Sequence, residues 1–158
     1  PIHTDKAAAL LAGLLAAHLL TARASEPFFN NDEIKHTLTG VFVADAVRDL
    51  PASAANPKDY TVRYYCQYPA LGVVTWPPLF YLVEGLATLA LGPHFWVGRM
   101  CVAGFAAVAL VYAYRFARLM FEHPWALLAA AITAFTPTVF AYSQRVMLEV
   151  PTFTLVLA

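Results

Sequence analysis

FWVGRMCVAGFAAVALVYAY, residues 95–114, decides how the rest of this chain is read. Its twenty residues carry one charge, Arg99, and about 20 predominantly apolar residues are what a helix needs to cross the hydrocarbon core of a bilayer. Ala103, Gly104, Ala106 and Ala107 would let a neighbouring helix approach closely, as helices do in lipid. The whole sequence agrees: 60% of its 158 residues are apolar, 13% are charged and the mean hydropathy is +0.59. A water-soluble domain carries about a quarter charged residues. The reading is an all-α membrane protein, a polytopic helical bundle.

Two more runs support it. Residues 7–22, AAALLAGLLAAHLLTA, are interrupted only by His18 and give a first span over about 7–23. Small residues at Thr21-Ala22-Arg23-Ala24 resemble the end of a signal peptide, but the spans downstream favour a retained helix. WALLAAAITAFTPTVFAY gives a third span over about 125–142, with Pro137 as a kink. A fourth begins near Val150, and the sequence closes inside that apolar run without having opened on Met. Residues 1–158 therefore read as the N-terminal part of one longer transmembrane domain.

The segment between the first two spans, 25–94, is different. Asn30-Asn31-Asp32 is an N-cap cluster, and Asp32 and Glu33 suit the positive end of a helix dipole. Ile34, Leu38, Val41, Phe42 and Ala46 then recur at helical spacing, which predicts an amphipathic helix that Pro51 ends. The tyrosines of RYYCQYP suit a membrane interface. Residues 77–92, PPLFYLVEGLATLALG, are short for a span and carry Glu84 at their centre, where mid-bilayer burial costs about 2.5–3.5 kcal/mol. They read as a second juxtamembrane helix. The positive-inside rule supports this: Lys6 and Arg115/Arg118 then both face the cytoplasm. The loop 25–94 and the Arg145–Glu149 segment lie on the opposite, extracytoplasmic side.

Ten basic and ten acidic residues cancel, and no basic tract exists to neutralise phosphates, which excludes nucleic acid as a partner. Cys66 and Cys101 form no metal or disulfide framework and read as packing residues. Three polar clusters share the extracytoplasmic side: Asp32-Glu33, Glu84, and Arg145 with Glu149, which would share a face if one helix carried both. A divalent metal held by His36 with Asp32 or Glu33 is the one cofactor these residues leave open, although two ligands are too few for a structural site.

The ordered set NNDE (30–33), WPPLFYLVEGLATLALGPHFWVGRM (76–100), YRFARLMF (114–121) and TPTVFAYSQRVMLEVPTFTLVLA (136–158) resembles the N-terminal part of membrane glycosyltransferases of the C-type fold. The likeness is to the bacterial relatives of dolichyl-phosphate-mannose protein mannosyltransferases and of aminoarabinose transferases. Pro77-Pro78-Leu79-Phe80, Gly92 and Arg99 match one motif of that family; Pro137, Ser143, Arg145, Leu148, Glu149 and Pro151 match another. Trp76 departs from the His or Lys that many relatives place before Pro-Pro, and Glu149 stands where Asp is common.

The resemblance implies transfer of a sugar from a polyprenyl-phosphate-linked donor to a protein, lipid or glycan acceptor, at a bacterial plasma (inner) membrane. It places the base at Asp32, with Glu33 beside it. A carboxylate takes the acceptor's proton, and a guanidinium suits the departing phosphate. Arg145, with Glu149, is the candidate for donor-phosphate contact or for fixing the acidic loop, with Arg63 and Lys58 as weaker ones; Pro77, Pro78 and Arg99 are structural motif positions. The competing readings are a multi-span transporter or flippase of lipid-linked substrates, with Arg145 and Glu149 lining its path, and a non-catalytic membrane scaffold.

Overall fold

A computed structural model of the chain describes Gly13 and residues 30–73 and 75–158. The predicted first span, 7–23, lies outside the described residues, except for Gly13. Those residues form eight helices and no strand.

The first helix, α1 (Asn31–Arg48), begins where the sequence predicts. Asn30 is extended, and its side-chain oxygen accepts the Glu33 N–H at 2.9 Å. The helix ends before Pro51, with the Asp49 N–H bonded to the Asp45 carbonyl. Its buried face, however, is Glu33, His36, Thr39, Gly40, Phe42 and Ala44. Of the predicted apolar stripe only Phe42 is buried, and Ile34 is 38% exposed. The small and polar face turns inward because it meets a second helix at short range. That helix is α4 (Leu79–Leu91), where a methyl group on Gly85 would stand 3.2 Å from the Gly40 carbonyl and overlap Val43.

Two short helices, α2 (Ala52–Ala55) and α3 (Pro57–Gln67), connect α1 towards α4. α3 opens on Pro57, whose missing N–H costs nothing in the first turn. Tyr64 packs edge-on against Phe42 of α1, with ring centroids 4.9 Å apart. Gly92 stops α4 in the left-handed region, at φ 88°, where a side chain would be strained.

The central helix is α5 (Phe95–Ala117), which packs on α4 and on the three helices that follow: α6 (His123–Phe135), α7 (Pro137–Ser143) and α8 (Glu149–Leu157). Its 23 residues make it roughly 35 Å long, and among the described residues it alone is long and apolar enough to cross a membrane unaided. The predicted third span is two helices, α6 and α7, bent by 64° at Thr136–Pro137, so it counts as a crossing only if the bent pair is taken as one. α4 is shorter than a span, and α8 begins at Glu149, near where the predicted fourth span starts.

Ala103 and Ala106 of α5 are buried as predicted, whereas Gly104 faces open space. The core gathers Phe80 and Tyr81 of α4, Val102 and Ala106 of α5, Val146, and Val150 of α8. Arg99, Glu33 and Glu84 are the three bulkiest of the fully buried side chains. Meanwhile Leu86, Trp125, Ile132, Val156 and Leu119, the last 81% exposed, stand on the outside.

Candidate functional site

Consecutive residues on a helix point about 100° apart, so the cap at Asn30 that starts α1 also sends Asp32 and Glu33 in different directions. Glu33 turns inward and is 0% exposed. Its Oε1 accepts Arg99 Nε–H at 2.9 Å and the Val146 N–H at 3.1 Å. One carboxylate thus ties α1 to α5 and to the turn before α8. Arg99, read from sequence as a structural motif position, is the buried partner that gives Glu33 its place.

Asp32 turns outward, with its side chain 54% exposed and 3.1 Å from Lys35 Nζ. It lines a cavity of about 620 Å³ together with His36, Trp76, Pro77, Glu149 and Phe153, whose walls are otherwise mainly apolar. Pro78 sits just behind, at the N-cap of α4.

His36 is fixed by its neighbours. Its Nδ1 and the Tyr81 hydroxyl are 2.7 Å apart, the two rings stack, and Trp76 meets the imidazole edge-on at 5.9 Å. Burial holds its pKa below 6.5, against the upward pull of Asp32 and Glu149; Lys35 adds to the lowering. The imidazole is therefore neutral at neutral pH.

The structure brings Asp32, His36, Pro77 and Glu149 to one cavity, and Glu33 with Arg99 to one buried pair. It separates others. α7 ends at Ser143 and α8 begins at Glu149, so Arg145, half-buried in the turn between them, does not share a helix face with Glu149. Consecutive helical turns would have been needed, and the chain bends instead. Arg63 lies exposed on α3, beside a different cleft, and Lys58 is exposed at the start of α3. Glu33 and His36 are each committed to another partner, and among the described residues no group of three or more His, Cys, Asp or Glu side chains could hold a metal ion.

Glu84 stands apart from the cavity and was not assigned a role from its position in the sequence. It is buried between Gly40 of α1 and Gly98 of α5, and among the described residues neither carboxyl oxygen has a hydrogen-bond partner. Burial raises its pKa well above the usual carboxylate value, which favours the protonated, neutral form. A methyl group on either glycine would collide with it. The signal that would have found this inner face is the spacing 33, 36, 40: polar and small residues at i, i+3 and i+7 on one side of α1.

No protein-family model, curated protein or solved structure matches the chain.

Proposed function

We propose that this chain belongs to a multi-pass plasma-membrane glycosyltransferase that moves a sugar from a polyprenyl-phosphate donor to an acceptor on the extracytoplasmic side, with Asp32 as the base. The observation that carries the reading is the division of labour in the acidic pair: Glu33 is locked in the interior, and Asp32 alone opens on the cavity. In the reaction the acceptor hydroxyl attacks the anomeric carbon and the carbon–oxygen bond to phosphate breaks. The Asp32 carboxylate takes the hydroxyl proton, and polyprenyl phosphate leaves.

The apolar wall formed by Trp76, Pro77, Met147 and Phe153 suits the lipid-proximal part of such a donor. Arg145, beside the Val146 amide that holds Glu33, is the candidate for the leaving phosphate. Polar side chains within and large apolar ones outside are what a lipid surrounding would favour.

The test is transfer of radiolabelled sugar from a panel of polyprenyl-phosphate sugars by membranes carrying the full chain. Asp32→Asn is expected to lower transfer by about 10²–10⁴-fold with unchanged membrane insertion; transfer at the original rate sinks the assignment. Transport of a lipid-linked substrate is the second reading, and Glu84 favours it, since a buried carboxyl with no hydrogen-bond partner among the described residues is the kind of group that carries protons through bundles. Under that reading Glu84→Gln abolishes movement of substrate while Asp32→Asn leaves it intact.

A further inference from the structure

The other end of α1 carries a second concavity, about 20 Å from Asp32 at the helical rise of 1.5 Å per residue. Tyr60, Tyr64 and Tyr68 recur every four residues along α3 and its C-cap, with ring centroids 6.3 Å apart for the first pair and 5.0 Å for the second. Two of them are anchored to the end of α1. The Tyr60 hydroxyl donates to Asp49 Oδ2 at 2.7 Å, and the Tyr64 hydroxyl to Asp45 Oδ2 at 2.9 Å. Arg48 holds the other oxygen of Asp45 at 3.0 Å. These rings and carboxylates border a cleft of about 670 Å³, with Arg63 and Gln67 on its rim.

Three properties define what the cleft would take. Two of its rings, Tyr60 and Tyr64, are fixed in place by their hydroxyl bonds to α1 and so present apolar faces at little entropic cost, while the Tyr68 hydroxyl accepts from the neighbouring Gln67 amide at 3.2 Å. Its polar groups include both kinds needed by a polyol: carboxylate acceptors in Asp45 and Asp49, and donors in the Arg63 guanidinium, which has no hydrogen-bond or ion-pair partner among the described residues, and in the Gln67 amide. Its charge is balanced, because Asp45 and Asp49 are matched by Arg48 and Arg63. A neutral cleft has no preference for an ion of either sign. Alternating apolar C–H faces and hydroxyl edges are the surface of a pyranose ring, and they match rings beside paired donors and acceptors.

We propose that this cleft between the end of α1 and α3 is a saccharide-binding site, separate from the Asp32 cavity. The site does not depend on sugar transfer: a transporter or scaffold with the same cleft would bind glycan equally.

Titration calorimetry of the purified full chain with mannotriose, maltotriose and chitotriose tests it, with tri-lysine as the ionic control. At least one trisaccharide is expected to bind. Arg63→Ala and Tyr68→Ala, both at exposed positions, are each expected to weaken that binding about fivefold or more. Asp32→Asn is expected to leave it intact. Four results overturn the proposal: no trisaccharide binds; tri-lysine binds in their place; both cleft variants bind as the parent does with unchanged melting temperature; or Asp32→Asn removes the binding, which puts the sugar in the other cavity.

Discussion

Replacing Glu33 by Gln should unfold the helix bundle far more readily than any surface change, and the size of the effect can be worked from the buried pair. Glu33 and Arg99 are 0% and 2% exposed and 2.9 Å apart. At an effective dielectric constant of 20 their gross attraction is roughly 6 kcal/mol, most of it offset by the desolvation of two ions. The net value of the intact pair is therefore small. Breaking it is another matter: a neutral amide at position 33 removes the carboxylate from beside the buried Arg99 guanidinium, and breaking a buried pair from one side costs about 3–5 kcal/mol. The Val146 N–H can still donate to the amide oxygen, so that bond is not part of the loss.

For a chain of this size each kcal/mol moves the melting temperature by about 2–4 °C, which places the drop between about 6 and 20 °C. The assay is thermal unfolding of the detergent-solubilised full chain. A double replacement, Glu33→Gln with Arg99→Met, completes the cycle. Removing both charges leaves no unpaired ion, so the double variant should regain most of what Glu33→Gln and Arg99→Met lose singly. If the double variant instead loses the sum of the two, the charges are not coupled and the reasoning fails.

Three further outcomes follow from the inner face of α1. Gly98→Ala should destabilise by about 1–3 kcal/mol through collision with Glu84 and Val146, and adding Glu84→Ala should relieve the Glu84 part of that loss in the same melting assay. Glu84→Gln should flatten the pH dependence of stability. The buried acid keeps its proton while the unfolded chain loses it above about pH 4.5, so the contribution of Glu84 to stability is full below that pH and is lost as pH rises toward the folded-state pKa; equal slopes for the two proteins between pH 4 and 8 would count against a raised pKa at Glu84. Tyr81→Phe removes the 2.7 Å contact with His36 and should cost about 0.5–1.5 kcal/mol, visible as a lower melting temperature with the helix content retained.

Much of the backbone was legible in the sequence. Asn30 caps α1, Pro51 lies beyond its end, the apolar run at 95–114 is the core of α5, and the helix breaks at Pro137. Each of these is a local property: a side chain that bonds to its own backbone, a missing N–H, or an unbroken apolar run. The inner face of α1 was not legible, because it is set by the close approach of α4, which leaves no room for large side chains at Gly40 and Gly85. Ile34 and Leu38 mark a periodicity correctly and its direction wrongly. The face is decided by Gly85 and Glu84, more than forty residues away, which a period along α1 cannot reveal.

The site was half legible for the same reason. Asp32 and Glu33 stand out as a pair in the sequence, but their separate fates depend on Arg99 and Val146. Arg145 and Glu149 have helical spacing without the helix, because the turn at 144–148 intervenes. Nothing local to either residue signals that turn.

The placement of Asn30 has one more consequence, for anyone who edits this chain. The N-cap acts as the index mark of a dial: each residue added or removed between it and Asp32 turns the helix face by about 100°. A single insertion after Asn30 that kept the cap in place would carry Asp32 toward the position Glu33 holds. Its carboxylate, shorter by one methylene, would then have to reach for Arg99, and Asn31 would take Asp32's place on the cavity. Charge and composition would remain nearly the same, and both the brace and the opening would be lost together.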